Sequence, residues 1–564
     1  VKKIQPVHLN RRDLLLGATC SASLAAVPFR AQAIKQPLPF VDLREAPIQL
    51  TVFADLENAR PLTRFGSEWR AGDLIVSLTN GLTGTVVSLS SPTLALTHLR
   101  LRWRVHHPED ILVLGDAWER SYGDLGWRNV VAERPLPWYC AVHQDGTIHC
   151  YGVETGAASF AMWQVDSAGI TLWLDVRNGG NGLLLGSRVL KAATLVARRG
   201  DRGEPIHTAL HAFCRMMCKS PRLPKSTVYG SNDWYYAYGK NNAEGILRDA
   251  ELAASLAPTS GPKPFTTVDD GWQDKRAFPD MAALTTQIRA KGVRPGLWIR
   301  PLRAPSGVDR KLLLPDTRFG RRSERFKDLA YDPTIPEARE IALDTMRDAV
   351  RWGNDLVKHD FSTYELFGAW GFEMGSSVTT SGWNFNDRSL TNAEIVRSLY
   401  RGLREAAGDQ TVIIGCNTVG HLAAGLFEAN RTGDDVSGRM WERTRRMGVN
   451  TLAFRMAQNR AFFIVDADCV PFTKAIDWEK TRMWLDLVAS SGTALIISSE
   501  PGVLGDRQRE VLRAAFAIAA TAPTAVAEDM LLTSAPQRWT LQRDGDTRSA
   551  NYVWDQDGAS PFSI

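Results

Sequence analysis

The chain has 564 residues, of which 44% are hydrophobic and 23% charged. That length exceeds what one hydrophobic core supports and predicts two to four domains. The formal charge of +5 is concentrated at the start, where Lys2, Lys3, Arg11, Arg12 and Arg30 stand against Asp13; the remainder is close to neutral, which removes the electrostatic case for a nucleic-acid partner.

In chain order, the first element is a targeting segment. Asn10-Arg11-Arg12-Asp13 precedes an apolar stretch through Val27, and Ala31-Gln32-Ala33 is an A-x-A cleavage site. Residues 1–33 therefore read as a twin-arginine export signal, with Ile34 starting the mature chain. The apolar stretch is too short, and too rich in Ala and Ser, to span a membrane. No later stretch approaches a spanning length, so the expectation is a periplasmic or secreted protein with no membrane partner. Residues 34–204 read as a β-sandwich: Leu99–Val105 and Ile170–Val176 alternate cleanly, and turns fall at Asn80-Gly81, Asp145-Gly146 and Asn178–Gly180. Gly179-Gly180-Asn181-Gly182 reads as a turn rather than a phosphate loop, because no helix and no Walker lysine follow it. Cys140 and Cys150 flank the Asp145-Gly146 turn, so the pattern allows a cross-strand disulfide or two buried thiols.

Residues 205–225 read as a linking helix and boundary. From 226 to 503 the pattern becomes strand, loop, helix, repeated. Strand ends are expected at Trp234, Asp270, Trp298, Asp360, Cys416, Arg431, Asp466 and Ser498, with helices such as 335–352, 390–407 and 476–490 between them. Eight such units fit a (β/α)8 barrel. Residues 504–564 hold one more helix and two strand-like runs around 539–541 and 550–554. They read as a C-terminal β-domain that is either small or incomplete in this sequence.

A barrel does its chemistry at the C-terminal ends of its strands, and polar residues concentrate there. Strand 2 ends Asp269-Asp270-Gly271-Trp272, strand 4 Lys358-His359-Asp360 and strand 5 Gly415-Cys416-Asn417. Strand 6 ends Arg431-Thr432-Gly433-Asp434-Asp435 and strand 7 Asp466-Ala467-Asp468. Any one of these is compatible with a helix cap; together they point to a site. Strand alternation sends Lys358 and Asp360 to one face, and a nearby cation keeps a carboxylate ionised, as a nucleophile on a sugar carbon must be. Two adjacent carboxylates at a strand mouth suit two sugar hydroxyls. The 18 Trp suit sugar C–H faces or a large core equally. There is no C-x-x-C pair and no H-E-x-x-H, and the histidines do not cluster, so neither metal nor cofactor is expected.

These strings resemble the α-galactosidase clan of retaining glycoside hydrolases, families 27 and 36; the large β-domain in front is like family 36. The resemblance covers about 226–470. It implies Asp360 as nucleophile and Asp435 as acid/base, with Asp434 as the competing choice. It also implies Asp269 and Asp270 as sugar-hydroxyl ligands, Lys358 and Arg431 as sugar-binding and tuning groups, and Cys416, Trp234, Trp298 and Trp272 as pocket residues, with Asp468 matching the Asp-Pro-Asp of family 27. The implied substrate is an oligosaccharide or glycoside ending in an α-linked galactose-type residue, and the family suggests a homo-oligomer. Three departures bear on the sugar: His359 replaces an aromatic, Arg300-Pro301 stands where Glu-Pro is common, and the loop 363–388 is long and rich in Trp, Gly and Ser. The competing functions are an α-glycosidase or transglycosylase of other sugar specificity, a non-catalytic carbohydrate-binding barrel, and a cofactor-loaded redox protein of the kind twin-arginine export carries.

Overall fold

The computed structural model describes residues 38–323 and 328–560. The expected export signal lies outside the described residues.

The first domain is two antiparallel sheets on a shared core. One has six strands, running from Leu136–Pro137 through Phe160–Asp166, Gly169–Asp175, His98–Arg104 and Gln49–Phe53 to Ala59–Pro61; the other has nine. The alternation read from the sequence sets the shared face. Leu99, Leu101 and Trp103 are buried opposite Leu174, Leu172 and Ile170, while Arg100 and Arg102 project to the other side. Asp145-Gly146 closes a two-residue hairpin in which both residues have positive φ, 46° and 75°, as the favoured hairpin turn requires. Its register decides the cysteine question. Cys140 faces Tyr151 and Cys150 faces Ala141, so the two thiols sit on neighbouring pairs that point to opposite faces, and both are free. The helix Ile206–Met217 packs its Phe213 and Met217 against this domain over Gly152, where a Cβ would lie 2.7 Å from the Met217 sulfur.

The second domain is a closed barrel of eight parallel strands. They are numbered β1 (Tyr229–Asn232), β2 (Phe265–Val268), β3 (Arg294–Ile299), β4 (Leu356–His359), β5 (Val412–Gly415), β6 (Ala429–Arg431), β7 (Ile464–Phe472) and β8 (Ala494–Ser499). β8 closes on β1 through Tyr229 and Leu495. The helices expected over 335–352, 390–407 and 476–490 are found at Pro336–Arg351, Asn392–Ala407 and Trp478–Ala489. Every strand but β7 ends within two residues of expectation, and two of the differences bear on the site. β1 stops at Asn232, and Trp234 opens a short helix, Trp234–Ala237. β7 does not end at Asp466: its register against β8 jumps from Asp466↔Ala494 to Cys469↔Ile496, with Asp468 at φ 73°. That is a bulge of one residue, and the strand continues past it.

The domains dock through Asn178–Asn181, which forms the expected tight turn. Asn178 Nδ2 donates to the carbonyls of Asp387 and Leu390 at 2.8 and 2.7 Å, and a Cβ on Gly180 would lie 1.9 Å from the Thr380 carbonyl. The glycines thus permit close approach of the barrel's 380–392 loop. After the helix Asp506–Ala519, a three-stranded antiparallel sheet forms from Thr524–Ala527, Arg538–Arg543 and Asp546–Asn551. The strand expected over 550–554 lies earlier. Asp544-Gly545 is the hairpin turn, and Tyr552 and Trp554 leave the sheet to anchor it, Trp554 Nε1 donating to the Pro536 carbonyl at 2.7 Å.

Candidate active site

Asp360 follows β4 directly. Its main-chain N–H donates to the Ile299 carbonyl on β3, which fixes the carboxyl at the barrel mouth. Phe361 has φ 66°, an uncommon conformation for a bulky residue, and this wraps its N–H back onto Asp360 Oδ1 at 2.7 Å. The Asn417 N–H, just past β5, donates to the same oxygen at 3.0 Å, and the Trp298 indole N–H of β3 donates to Oδ2 at 3.0 Å. Burial opposes ionisation here, but the cations Lys358 and Arg120 and these N–H donors outweigh it and hold the carboxyl at about 2. Asp360 is a desolvated carboxylate whose surroundings favour its ionised form.

Lys358 alternates inward as expected, yet its hydrogen bond goes to Asp269 Oδ2 at 2.8 Å; its effect on Asp360 acts through space. Asp269 is buried. It also accepts from Asn232 Nδ2 at 2.7 Å, and its own N–H is held by Asp233, whose second oxygen is tied to Asn241. Asp270, half-buried at the rim, accepts from Gly271 N–H and Gln273 Nε2. The adjacent carboxylates therefore differ: Asp269 is buried and ion-paired with Lys358, and Asp270 is half-buried.

Asp434 and Asp435 differ still more. Asp434 lies between two guanidiniums, Arg120 at 2.9 Å and Arg443 at 2.7 Å. Against its burial, these lower its pKa. Asp435 accepts from Arg431 at 3.2 Å and lies 3.5 Å from Arg120. Burial, with Asp468 and Asp434 nearby, outweighs these cations and raises it to about 6. Its side chain is 40% exposed at the opening, so water weakens the push that burial gives. Arg431 is itself buried and shared between Asp435, Asp466 at 3.1 Å and Asp468 at 2.8 Å. Asp468 is enclosed by protein: it accepts from the Tyr235 hydroxyl and from the N–H groups of Val436 and Cys469. Its place on the bulge serves to hold Arg431. Beneath these groups, on the barrel axis, Asn232, Thr267, Lys358, Arg431 and Asp468 help to line a void of about 20 Å³, room for one water.

Of the aromatic candidates, Trp298 bonds Asp360 directly. Trp272 braces it, donating to the Trp298 carbonyl at 2.8 Å and meeting Trp352 edge-on. Trp234 packs against Tyr238 beside β1. Cys416 is buried, its sulfur 3.9 Å from Arg120 Nη1. His359 occupies an aromatic's place, edge-on to both Tyr400 and Phe427 at 5.7 Å, and burial keeps it neutral with a pKa of about 4. Arg300 is answered by Glu365 at 2.6 Å and by Asp328, and lies 4.2 Å over the Phe361 ring; its charge is matched inside the wall.

The residues that sequence reasoning missed come from the first domain. The segment 116–123 reaches the barrel mouth. Asp116 pairs with Arg455 at 2.7 Å, and Ser121 and Asp434 exchange main-chain hydrogen bonds with the β6 loop and this segment. This delivers Arg120 to Asp434 and Asp435. Glu119, buried, accepts from the Tyr122 hydroxyl, from Gly371 N–H and from Asn417 Nδ2. Burial raises Glu119 to about 7 against the pull of Arg120. No local pattern in Trp118-Glu119-Arg120-Ser121-Tyr122 marks it, because its role depends on docking to residues about 300 positions away.

No protein-family model matches the chain. Among solved structures, the α-galactosidase TtGalA of Thermus thermophilus, in complex with p-nitrophenyl α-D-galactopyranoside, is 19% identical. The match covers 86% of this chain and 99% of that one, with a TM-score of 0.56. The family 36 α-galactosidase AgaA of Geobacillus stearothermophilus is 14% identical over 89% of this chain and 80% of its own, with a TM-score of 0.58. The α-galactosidase of Lactobacillus brevis is 11% identical over 89% and 75%, with a TM-score of 0.53. This chain has the family 36 α-galactosidase fold. The order of sandwich, barrel and C-terminal sheet is that of the family 36 architecture, and the carboxylates lie at the barrel end where such folds place their sites. Among the described residues, no group of three or more His, Cys, Asp or Glu is arranged to hold a metal, and no helix is long and apolar enough to cross a membrane.

Proposed function

We propose that this protein is a retaining glycoside hydrolase that releases terminal α-linked galactose-type residues from oligosaccharides or glycosides. The observation that carries this is one pair of carboxyls with different surroundings: three N–H groups fix Asp360 beside the charges of Lys358 and Arg120, whereas Asp435 stands at the opening beside Asp434 and Asp468. Asp360 is held ionised at about 2, and Asp435 is raised to about 6. Double displacement needs that division: an ionised nucleophile and a protonated acid. In this mechanism Asp435 protonates the leaving oxygen while Asp360 attacks the anomeric carbon. Asp435, now ionised, takes a proton from water, which displaces Asp360 and releases the sugar with its configuration retained. Asp434 is the weaker choice for acid, because both its oxygens are engaged by arginines.

Asp270, Lys358, Arg431 and Trp298 are the residues this reading assigns to the glycone, because they stand at the strand ends beside Asp360 and Asp435. The family 36 architecture supports galactose as that glycone, and neighbours of the same fold were crystallised with stachyose and raffinose. A periplasmic or secreted location is proposed from the twin-arginine sequence alone, and a homo-oligomer from the family resemblance. The test is turnover of matched aryl α-galactosides, α-glucosides and α-mannosides, with the first-formed anomer followed by NMR. A preference for the galactoside with initial α-product supports the proposal. Initial β-product contradicts the mechanism, and preference for another sugar contradicts the specificity.

A further inference from the structure

We propose that Tyr122, Trp370 and Phe372 form a leaving-group subsite that packs against a second sugar ring. This rests on the hydrolase assignment above. Asp435 is the carboxyl that meets the leaving oxygen, so whatever the glycone is attached to must pass beside it. Beside it lies Arg120, 3.5 Å from the carboxyl. The Arg120 guanidinium carbon is 5.3 Å from the Trp370 ring centroid and 5.8 Å from that of Tyr122. Tyr122 in turn meets Phe372 edge-on at 5.0 Å. From the other side, Phe361, next to the nucleophile, meets Trp370 at 5.6 Å. Trp370 and Tyr122 therefore flank Arg120 beside the catalytic carboxyls, and Phe372, against Tyr122, is 65% exposed.

The wall is preformed. Trp370 stacks on Tyr364 at 4.3 Å and 18°. Glu119 ties the two contributing loops together by accepting from the Tyr122 hydroxyl and from Gly371 N–H. A Cβ on Gly371 would lie 2.8 Å from Glu119 Cγ, so glycine there permits the contact. An exposed ring fixed in this way needs no ordering on binding, and its face suits the C–H surface of a pyranose. This gives a use to the long Trp-, Gly- and Ser-rich loop after β4, and it commits the leaving group to a carbohydrate.

The experiment compares wild type, Phe372→Ala and Phe372→Trp on two substrates with one glycone: α-galactosyl fluoride, whose leaving group has no ring, and raffinose. Phe372 is exposed, so truncation does not threaten the fold. The expected result is that the raffinose-to-fluoride ratio of kcat/KM falls roughly three- to tenfold in Phe372→Ala, through KM, and recovers in Phe372→Trp. An unchanged ratio overturns the subsite, as does a loss of assembly size in Phe372→Ala with no change in ratio, which would make the ring a contact between copies. Wild type inactive on both substrates overturns the hydrolase assignment itself, and the subsite with it.

Discussion

Arg120 should control the pH range of the activity from outside the barrel. Its guanidinium stabilises the ionised form of every carboxyl it faces, so Arg120→Gln should raise the pKa values of Asp435 and Asp360 together. The groups left around Asp435 are Arg431, Asp434, Asp468 and Tyr235, with Arg443 on its main-chain carbonyl; around Asp360, Lys358 remains as the cation. At about 4 Å, unit charges interact by about 1 kcal/mol in water and about 4 kcal/mol at an effective dielectric constant of about 20. With the Asp435 side chain 40% exposed, the lower end applies. At about 1.4 kcal/mol per pKa unit, that is about one unit. The assay is kcat/KM against pH on an aryl α-galactoside. The falling limb, set by Asp435 at about 6, should move to roughly pH 7. The rising limb, set by Asp360, should move up by less because Lys358 remains, and Arg120→Lys should return both limbs most of the way. A lowered rate with unmoved limbs, or limbs moving to lower pH, refutes the reasoning.

Asp435→Asn should reduce kcat/KM by about 10²- to 10⁴-fold on alkyl α-galactosides, and less where the leaving group needs no proton; Asp434→Asn should cost far less on both, as steady-state kinetics will show. Asp116→Ala strips the buried Arg455 of its carboxylate partner and Gln458 of one of its two acceptors, the other being the Tyr139 hydroxyl, and should lower unfolding stability by about 3–5 kcal/mol in a urea titration. All six described cysteines are free, so thiol titration of the denatured, unreduced protein should find Cys140 and Cys150 reactive, and dithiothreitol should leave Tm unchanged.

The barrel was legible because most strands have a short apolar core that ends in a polar or aromatic residue, and that pattern recurs between helices along 226–503. β7 misled because a bulge puts two aspartates inside a strand, where Asp466-Ala467-Asp468 reads as its end. The cysteine pair turned on parity: the turn pairs Gln144 with Thr147, which leaves Cys140 and Cys150 one residue out of register. Asp434 and Asp435 are adjacent and chemically identical in the sequence. What separates them is Arg443 from the following helix and Arg120 from another domain, neither of which a local pattern encodes. The same holds for Glu119 and the aromatic side chains of the proposed subsite. Phe372 lies in the loop 363–388, and it is docking of the sandwich that sets Tyr122 against it.

The central claim is that Asp360 is the nucleophile of a double displacement, and chemical rescue tests it most directly. In Asp360→Gly the hydrolysis of p-nitrophenyl α-galactoside should fall by roughly 10⁴-fold or more. Added azide, entering the space of the missing carboxylate, should restore turnover and yield the β-galactosyl azide. Failure of azide to rescue Asp360→Gly while it rescues a glycine variant of another carboxylate, or formation of an α-azide, would contradict the account.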